Sequence, residues 1–484
     1  MTAERDWIEL ASVVPEMARR LGASYADVRF QASRQQRIVA RNDRIQELED
    51  EERTGLGVRC LAGGAWGFAA VSVMTPDSVA AATRRAVESA LATAPLRDQP
   101  VVLAEETPHQ IEYHTPRRED PFAVGLSEKT ALLLECARLM RAEPEIREAW
   151  ALLSLQRQEQ FFLSTEGSRV HRTRIVPWAM LYARAAGNGD VQTRMYDTWG
   201  RHAGWEHIRE ADLLARAPVV AREAREKLYA EEISDGRYDL ILDPAGLVLP
   251  IHESIGHATE LDRVLGYEAD FAGTSFATPE KLGNFRYGSP ILNVVADNTR
   301  PEYLASQGCD DEGVEGQRWD VIREGILTGY STGREFAPLI GEERSRGSSR
   351  AEGWWYPPIV RIPNLGILPG SGRYEDLIAD TSDGILVEGR GAFSIDQQRL
   401  DFQFGGDMTW RIKDGKRQAL LKNVVYRGRT PVFWNSCDAV CGPEDFDSFG
   451  LINCGKGQPA QRGMMTHFAP PCRFRKVEFG KAKA

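Results

Sequence analysis

YDLILDPAGLVLPIHESIGHATELDRV, residues 238–264, is where the chain changes character. Its first residues read as a strand that stops at Asp243-Pro244, a capping residue followed by a proline suited to a first helical turn. A helix is expected to run on from there, and beyond Gly266 helical periodicity becomes scarce. Short apolar segments follow instead: ILNVVAD, GILTGYS, DGILVEG, LDFQFGG, MTWRIKDGK and VVYRG, separated by Gly, Pro, Asn and Asp. Asp414-Gly415 reads as a hairpin turn. Residues 233–484 are therefore expected to form a β-rich domain, a sandwich or irregular barrel, carrying one important helix.

Upstream, residues 1–232 read as two rounds of one pattern. A helix over about 5–21 stops at Gly22, and ADVRF, RIVAR, GLGVRCL and WGFAAVS follow as short strands. Thr75-Pro76 opens a helix to about residue 94. The second round starts with Ser127 capping SEKTALLLECARLM. It continues through WALLSLQ, EQFFLST, VHRTRIVP and AMLYARAAG, with turn signals at Glu166-Gly167 and Asn188-Gly189. A charged helix over about 208–230 closes it. The expected class is α+β: a duplicated helix–strands–helix domain, then the β-rich domain.

A chain of 484 residues exceeds one ordinary core, so two domains are the natural division. A net charge of −10, from 60 basic and 70 acidic residues, argues against a broad phosphate-binding surface, and no nucleic-acid partner is expected. The acidic run Glu47–Glu52 reads as a solvated strand end or turn. No stretch approaches the roughly 20 apolar residues of a membrane span, and residues 1–25 hold no apolar h-region. A cytoplasmic, membrane-free protein is expected. The seven cysteines, at 60, 136, 309, 437, 441, 454 and 472, are too scattered for a disulfide scaffold.

The chemistry concentrates in His252-Glu253-Ser-Ile-Gly-His257. Neutral imidazoles suit zinc, and a carboxylate beside the first histidine can take a proton from activated water. The familiar helical zinc motif spaces its histidines four apart. Five apart, they fall roughly 140° from each other around an ideal helix, too far to share one metal. To share a metal they need a π-bulge between them or a last turn that unwinds. Pro250 and Gly256 both weaken regular helix and permit either. The plain alternative is two of eight histidines falling near a glutamate on an ordinary helix. Zinc at a catalytic site usually has three protein ligands, and the best third candidate is Cys454 in NCGKGQ. Taken alone, that cysteine reads equally as a buried, inert thiol.

HESIGHATELDRV together with INCGKGQ resembles the TldD/PmbA peptidases, specifically the metal-bearing TldD type. The helix, the ADVRF strand, the acidic patch, the GLGVR strand, SEKTALL and Asp310-Asp-Glu-Gly313 occur in that family's order, so the resemblance spans nearly the whole chain. It implies that His252, His257 and Cys454 bind one Zn²⁺ per chain and that Glu253 activates water to hydrolyse short or unfolded peptides. It also implies an enclosed space between two subunits, either two copies of this chain or this chain with a PmbA/TldE-like partner. Asp310, Asp311, Glu312 and Arg361 are candidate wall residues, and Trp354-Trp355-Tyr356 a candidate peptide contact. His467, in the tail leading to Cys472, is a candidate to line the site, a proton donor, or a structural histidine.

Three other readings stand beside this one. Cys437-x₃-Cys441 with Cys454 and Cys472 could form a structural tetrathiolate zinc site, leaving Glu260 to complete the HExxxH ligand set. The chain could be a non-catalytic partner or scaffold subunit. Cys454 could be a nucleophile with His257 or His467 as its base, which would leave Glu253 idle.

Overall fold

The computed structural model describes residues 2–481. The first half is built on long strands: β1 (Tyr25–Arg41), β2 (Arg44–Ala62), β3 (Ala65–Val71), β4 (Gln110–His114), β5 (Ile146–Ser164), β6 (Arg169–Gly187) and β7 (Asp190–Asp197). Segments expected as separate strands, such as ADVRF and RIVAR, are continuous. The polar stretch joining them stays extended because β1 pairs along its whole length with β2 and β5. Glu47–Glu52 accordingly lies inside β2, not at a turn. It is solvated there, and Asp50 takes both an Nε and an Nη2 hydrogen bond from Arg34 at 2.8 Å, an opposite-charge pair across strands.

The helices are α1 (Thr2–Ser12), α2 (Val14–Arg20), α3 (Pro76–Thr93), α4 (Leu126–Arg141), α5 (Glu206–Glu210) and α6 (Leu213–Leu228). The N-terminal helix breaks at Val13, and the 208–230 helix breaks at Asp212, whose φ is +44°. Thr75 caps α3 with a reciprocal Ser78 bond. The cap of α4 is Gly125 rather than Ser127, which lies in the first turn. The sheet runs β3-β2-β1-β5-β6, with β4 and β7 both on the outer edge of β6. The two rounds thus meet at the antiparallel β1–β5 pair, with α3 packed on one half and α4 and α6 on the other.

That sheet has two chemically different faces. Val28 and Ile38 of β1, with Leu153 and Leu163 of β5, turn to the helices as apolar core. The opposite parity presents Asp27, Arg29, Gln31, Gln160 and Arg172, all buried, to the second half of the chain.

The second half holds a ten-stranded and a six-stranded sheet. Gly236–Leu242 lies in the middle of the larger, between Cys472–Lys481 and Asp383–Glu388. Asp414 and Gly415, at φ +48° and +73°, make the expected turn between Met408–Lys413 and Lys416–Lys422. The smaller sheet ends in the hairpin Asp447–Lys456/Gln461–Ala469. Between the sheets lies the main core, which includes Leu240, Ile251, Ile255, Ile362, Cys454 and Met465. Among the described residues no helix is long and apolar enough to cross a membrane.

Asp310–Gly313 joins the halves. Asp311 accepts hydrogen bonds from Arg172, from Gln160 at 2.8 Å and from the Ala351 N–H at 2.8 Å. Glu312 pairs with Arg59 at 2.9 Å, and Arg59 also reaches Asp27 at 2.6 Å. Trp354 lies flat against β2 where Gly55 and Gly57 make room; a Cβ at Gly55 would sit 2.3 Å from its ring.

Candidate metal centre

The helix after Gly236–Leu242 is regular only over Val248–Ile251. Residues His252–Gly256 form a π-turn in which the His257 N–H reaches back to the His252 carbonyl, and His257–Thr259 continues as 3₁₀. The inserted residue swings the two imidazoles together, with ring centroids 4.7 Å apart. Carbonyls disturbed by this change of winding find side-chain donors. Tyr287 Oη donates to Ser254 O, Thr259 Oγ1 to Ile255 O at 2.8 Å, and Ser275 Oγ to Ala258 O at 2.6 Å. Gly256 is needed for packing as well, since a Cβ there would lie 2.9 Å from Ile362 Cδ1.

Cys454 comes from the hairpin of the smaller sheet, and its Sγ lies 3.4 Å from His257 Nε2. One donor atom from each of His252, His257 and Cys454 lies within 4.8 Å of the others, and all three residues are buried. No other such cluster of three occurs among the described residues.

Proton positions follow from the hydrogen bonds. Leu365 O can only accept, so His467 Nδ1, 3.0 Å away, carries a proton. Burial and the neighbouring His252 push the His467 pKa well down, so its ring is neutral and Nε2 accepts. His252 Nδ1, 2.8 Å from that Nε2, must then be the donor, leaving His252 Nε2 bare. His257 Nδ1 lies 2.7 Å from Glu260 Oε2, which leaves its Nε2 bare as well. Burial lowers the pKa of both rings. Burial would raise the Cys454 thiol, but His257 and Arg361 outweigh it and the net shift is downward. Two bare imidazole nitrogens beside an easily ionised thiol are a donor set suited to zinc.

The surrounding charges hold this set in place. Glu260 does not reach the cluster as a ligand but backs His257. Although burial opposes it, Lys456, His257 and Arg263 hold the Glu260 carboxyl well below the usual range. Lys456 is buried and also binds Asp262 at 2.6 Å. Arg361 donates to the Cys454 and Gln461 carbonyls at 2.5 and 2.9 Å. Glu253 accepts from Arg399 Nη1 at 2.7 Å, a partner 146 residues away that no local pattern announces.

The remaining sequence candidates separate. Asp311 has both oxygens taken inside the protein, and His467 has both ring nitrogens taken, so neither is free to meet a substrate. Cys437–Val440 pairs with Cys472–Lys481 in the larger sheet, while Cys454 sits in the smaller one. The four cysteines therefore do not converge on one tetrathiolate.

Sequence profiles of the PmbA/TldA metallopeptidases match three stretches: domain 1 over residues 26–90, the central domain over 119–230 and the C-terminal domain over 235–481. The chain belongs to the TldD/PmbA family of metallopeptidases. A metalloprotease of Methanocaldococcus jannaschii is 29% identical over 434 residues, covering 89% of this chain and 92% of that one. A zinc metalloprotease TldD homolog of Saccharolobus solfataricus is 22% identical over 478 residues, covering 96% and 98%. TldE of Thermococcus kodakarensis shares the fold, with a TM-score of 0.70 at 17% identity over 97% of this TldD/PmbA chain and all of its own.

Proposed function

We propose that this TldD/PmbA chain is a zinc-dependent peptidase of the TldD type. One Zn²⁺ is held by His252, His257 and Cys454, and Glu253 is the general base. The observation that carries the reading is the pair of hydrogen-bond relays, Leu365–His467–His252 and His257–Glu260, which free two Nε2 atoms beside Cys454 Sγ. A zinc ion held there would supply Lewis acidity and bring the pKa of water near 7. Glu253 takes the proton of the attacking water and returns it to the leaving amine. Arg399 holds that carboxylate in one orientation, and Arg361 fixes the backbone of the Cys454 strand.

The substrates on this reading are short or unfolded peptides. Residues 1–232 act as the wall of the chamber and 233–484 as the catalytic unit, in a dimer with a second copy or with a PmbA/TldE-like subunit. The likeness to TldE supports a partner of the same fold. The scaffold reading is weaker, because a scaffold needs neither relay nor a carboxylate at position 253. Metal content and peptide hydrolysis, measured on wild type, Glu253→Ala and Cys454→Ser, test it. Wild type and Glu253→Ala should each hold about one zinc, Cys454→Ser should lose it, and only wild type should cleave. Zinc retained by Cys454→Ser, or cleavage by Glu253→Ala, sinks the assignment.

A further inference from the structure

The polar face of the first sheet does not meet the second half everywhere. Between them lies a cavity of about 140 Å³, lined on the sheet side by Gln31, Gln156, Gln158 and Arg174 and on the other by Gln307, Arg350 and Arg361. Four further arginines around it each have a carboxylate partner. Arg34 meets Asp50 at 2.8 Å, Arg53 meets Glu51 at 2.8 Å, Arg462 meets Glu352 at 3.0 Å, and Arg157 meets Asp120.

Arg174, Arg350 and Arg361 differ. Among the described residues none of them has a carboxylate oxygen within 4.0 Å of its guanidinium nitrogens. Arg174 donates to Gln158, Arg350 to the carbonyls of Met464 and Ile362, and Arg361 to those of Cys454 and Gln461. All these partners are neutral. Nε of Arg350, Nε of Arg361 and both amide atoms of Gln307 are buried with no hydrogen-bond partner at all. Burying cations without a counter-charge, and amides without partners, is costly. Burial and nearby arginines pull Arg350 down to about 9. Arg174 is only partly buried by the chain, yet burial and Arg172 bring it to about 10. Both remain cations at neutral pH.

We propose that this cavity takes a carboxylate of the peptide substrate, with Arg174 and Arg350 as counter-ions and Gln307 as the orienting amide. The proposal rests on the peptidase reading and gives it a substrate class: peptides that place a negative group at a set distance from the cleaved bond. The planar guanidinium fork matches a carboxylate, and the glutamine lining offers donors and acceptors to the adjoining peptide backbone. Arg361 lines the cavity and also grips the Cys454 carbonyl, so an occupant lies one side chain away from the ligand strand.

The test is direct binding of a dye-labelled hexapeptide, read by anisotropy in a Glu253→Gln background so that turnover does not intrude. Three forms are compared: the free acid, the C-terminal amide, and an amide whose last residue is glutamate. The free acid should bind at least about tenfold tighter than the plain amide. Arg174→Gln and Arg350→Gln should each bring that ratio to about twofold or less, with metal content unchanged. Gln307→Leu removes no internal bond and guards against a folding artefact; it should weaken the free acid several-fold while leaving the melting temperature alone. If the glutamate amide matches the free acid, the carboxylate comes from a side chain; if it matches the plain amide, from the chain end. Equal binding of all three, no binding of any, or a preference that survives both arginine substitutions overturns the proposal. A preference in a protein whose wild type cleaves nothing keeps the carboxylate site and removes the peptidase. Cleavage by wild type without any preference does the reverse.

Discussion

His467 contributes no atom to the His252–His257–Cys454 cluster, yet its ring fixes which nitrogen of His252 carries the proton. Histidine ligands backed in this way typically lose 10- to 100-fold in metal affinity when the backing group is removed. His467→Ala should therefore weaken zinc retention by about that factor in a chelator competition. His467→Gln, which can still accept at one end and donate at the other, should recover part of it. Equal retention in all three proteins would mean that the relay is irrelevant. Arg399 acts on the other partner of the chemistry. On the proposed reading, Arg399→Ala leaves the metal-binding residues untouched but frees Glu253, and a misplaced catalytic group can cost up to about 10²-fold. The expected signature is a fall in kcat with zinc content and KM nearly constant; a fall in zinc content instead would assign Arg399 to metal binding.

At the scale of the element, the π-turn is the part most exposed to single changes. Gly256→Ala pushes a methyl group into Ile362, and overpacking of this kind costs about 1–3 kcal/mol. A urea midpoint unchanged from wild type would show that Ile362 yields freely. The irregular helix was legible beforehand, because histidines five apart cannot share a metal on a regular one. Thr75 and Asn188-Gly189 were legible for a similar reason: caps and tight turns are decided by neighbours in sequence. The continuous β1 was not, since its polar centre is kept extended by partners at Arg53 and Gln158 rather than by its own periodicity. The same distinction applies to the site. His252, Glu253 and His257 are local and could be read together. Arg399 and the backing role of His467 depend on contacts across 146 and 215 positions, for which one sequence carries no signal.

In the whole molecule, the two halves are joined by buried ion pairs rather than by apolar contact alone. Removing one member strands the other. Arg172→Met should cost about 3–5 kcal/mol and increase protease cutting between the halves, near Tyr229–Glu232; a wild-type cleavage pattern would count against this. One of these pairs also contributes to the acid limit. Although burial opposes it, Arg172 and Arg29 hold the Asp311 carboxyl well below its ordinary value. The folded pKa is thus lower than the unfolded one, near 3.9. The stability it contributes is present above about pH 4 and is lost as pH falls through the folded value. Asp311→Asn should flatten the decline in melting temperature below about pH 4, and an unaltered slope would remove Asp311 from the account.

Cys472–Lys481 is bonded on both sides, to Val424–Arg429 and to Gly236–Leu242, in the interior of the ten-stranded sheet. For a nascent chain this fixes an order of events. Translation delivers His252 and His257 more than two hundred residues before the strand that completes the sheet behind them, which at about 5–20 residues per second is an interval of ten seconds or more. Throughout that interval the ribosome holds a polypeptide with Gly236–Leu242 unpaired on one edge, an invitation to chaperones and to aggregation alike. The donor cluster consequently cannot close until Cys454 and the strand behind it have been made, and a chain cut before residue 472 has no seam to close.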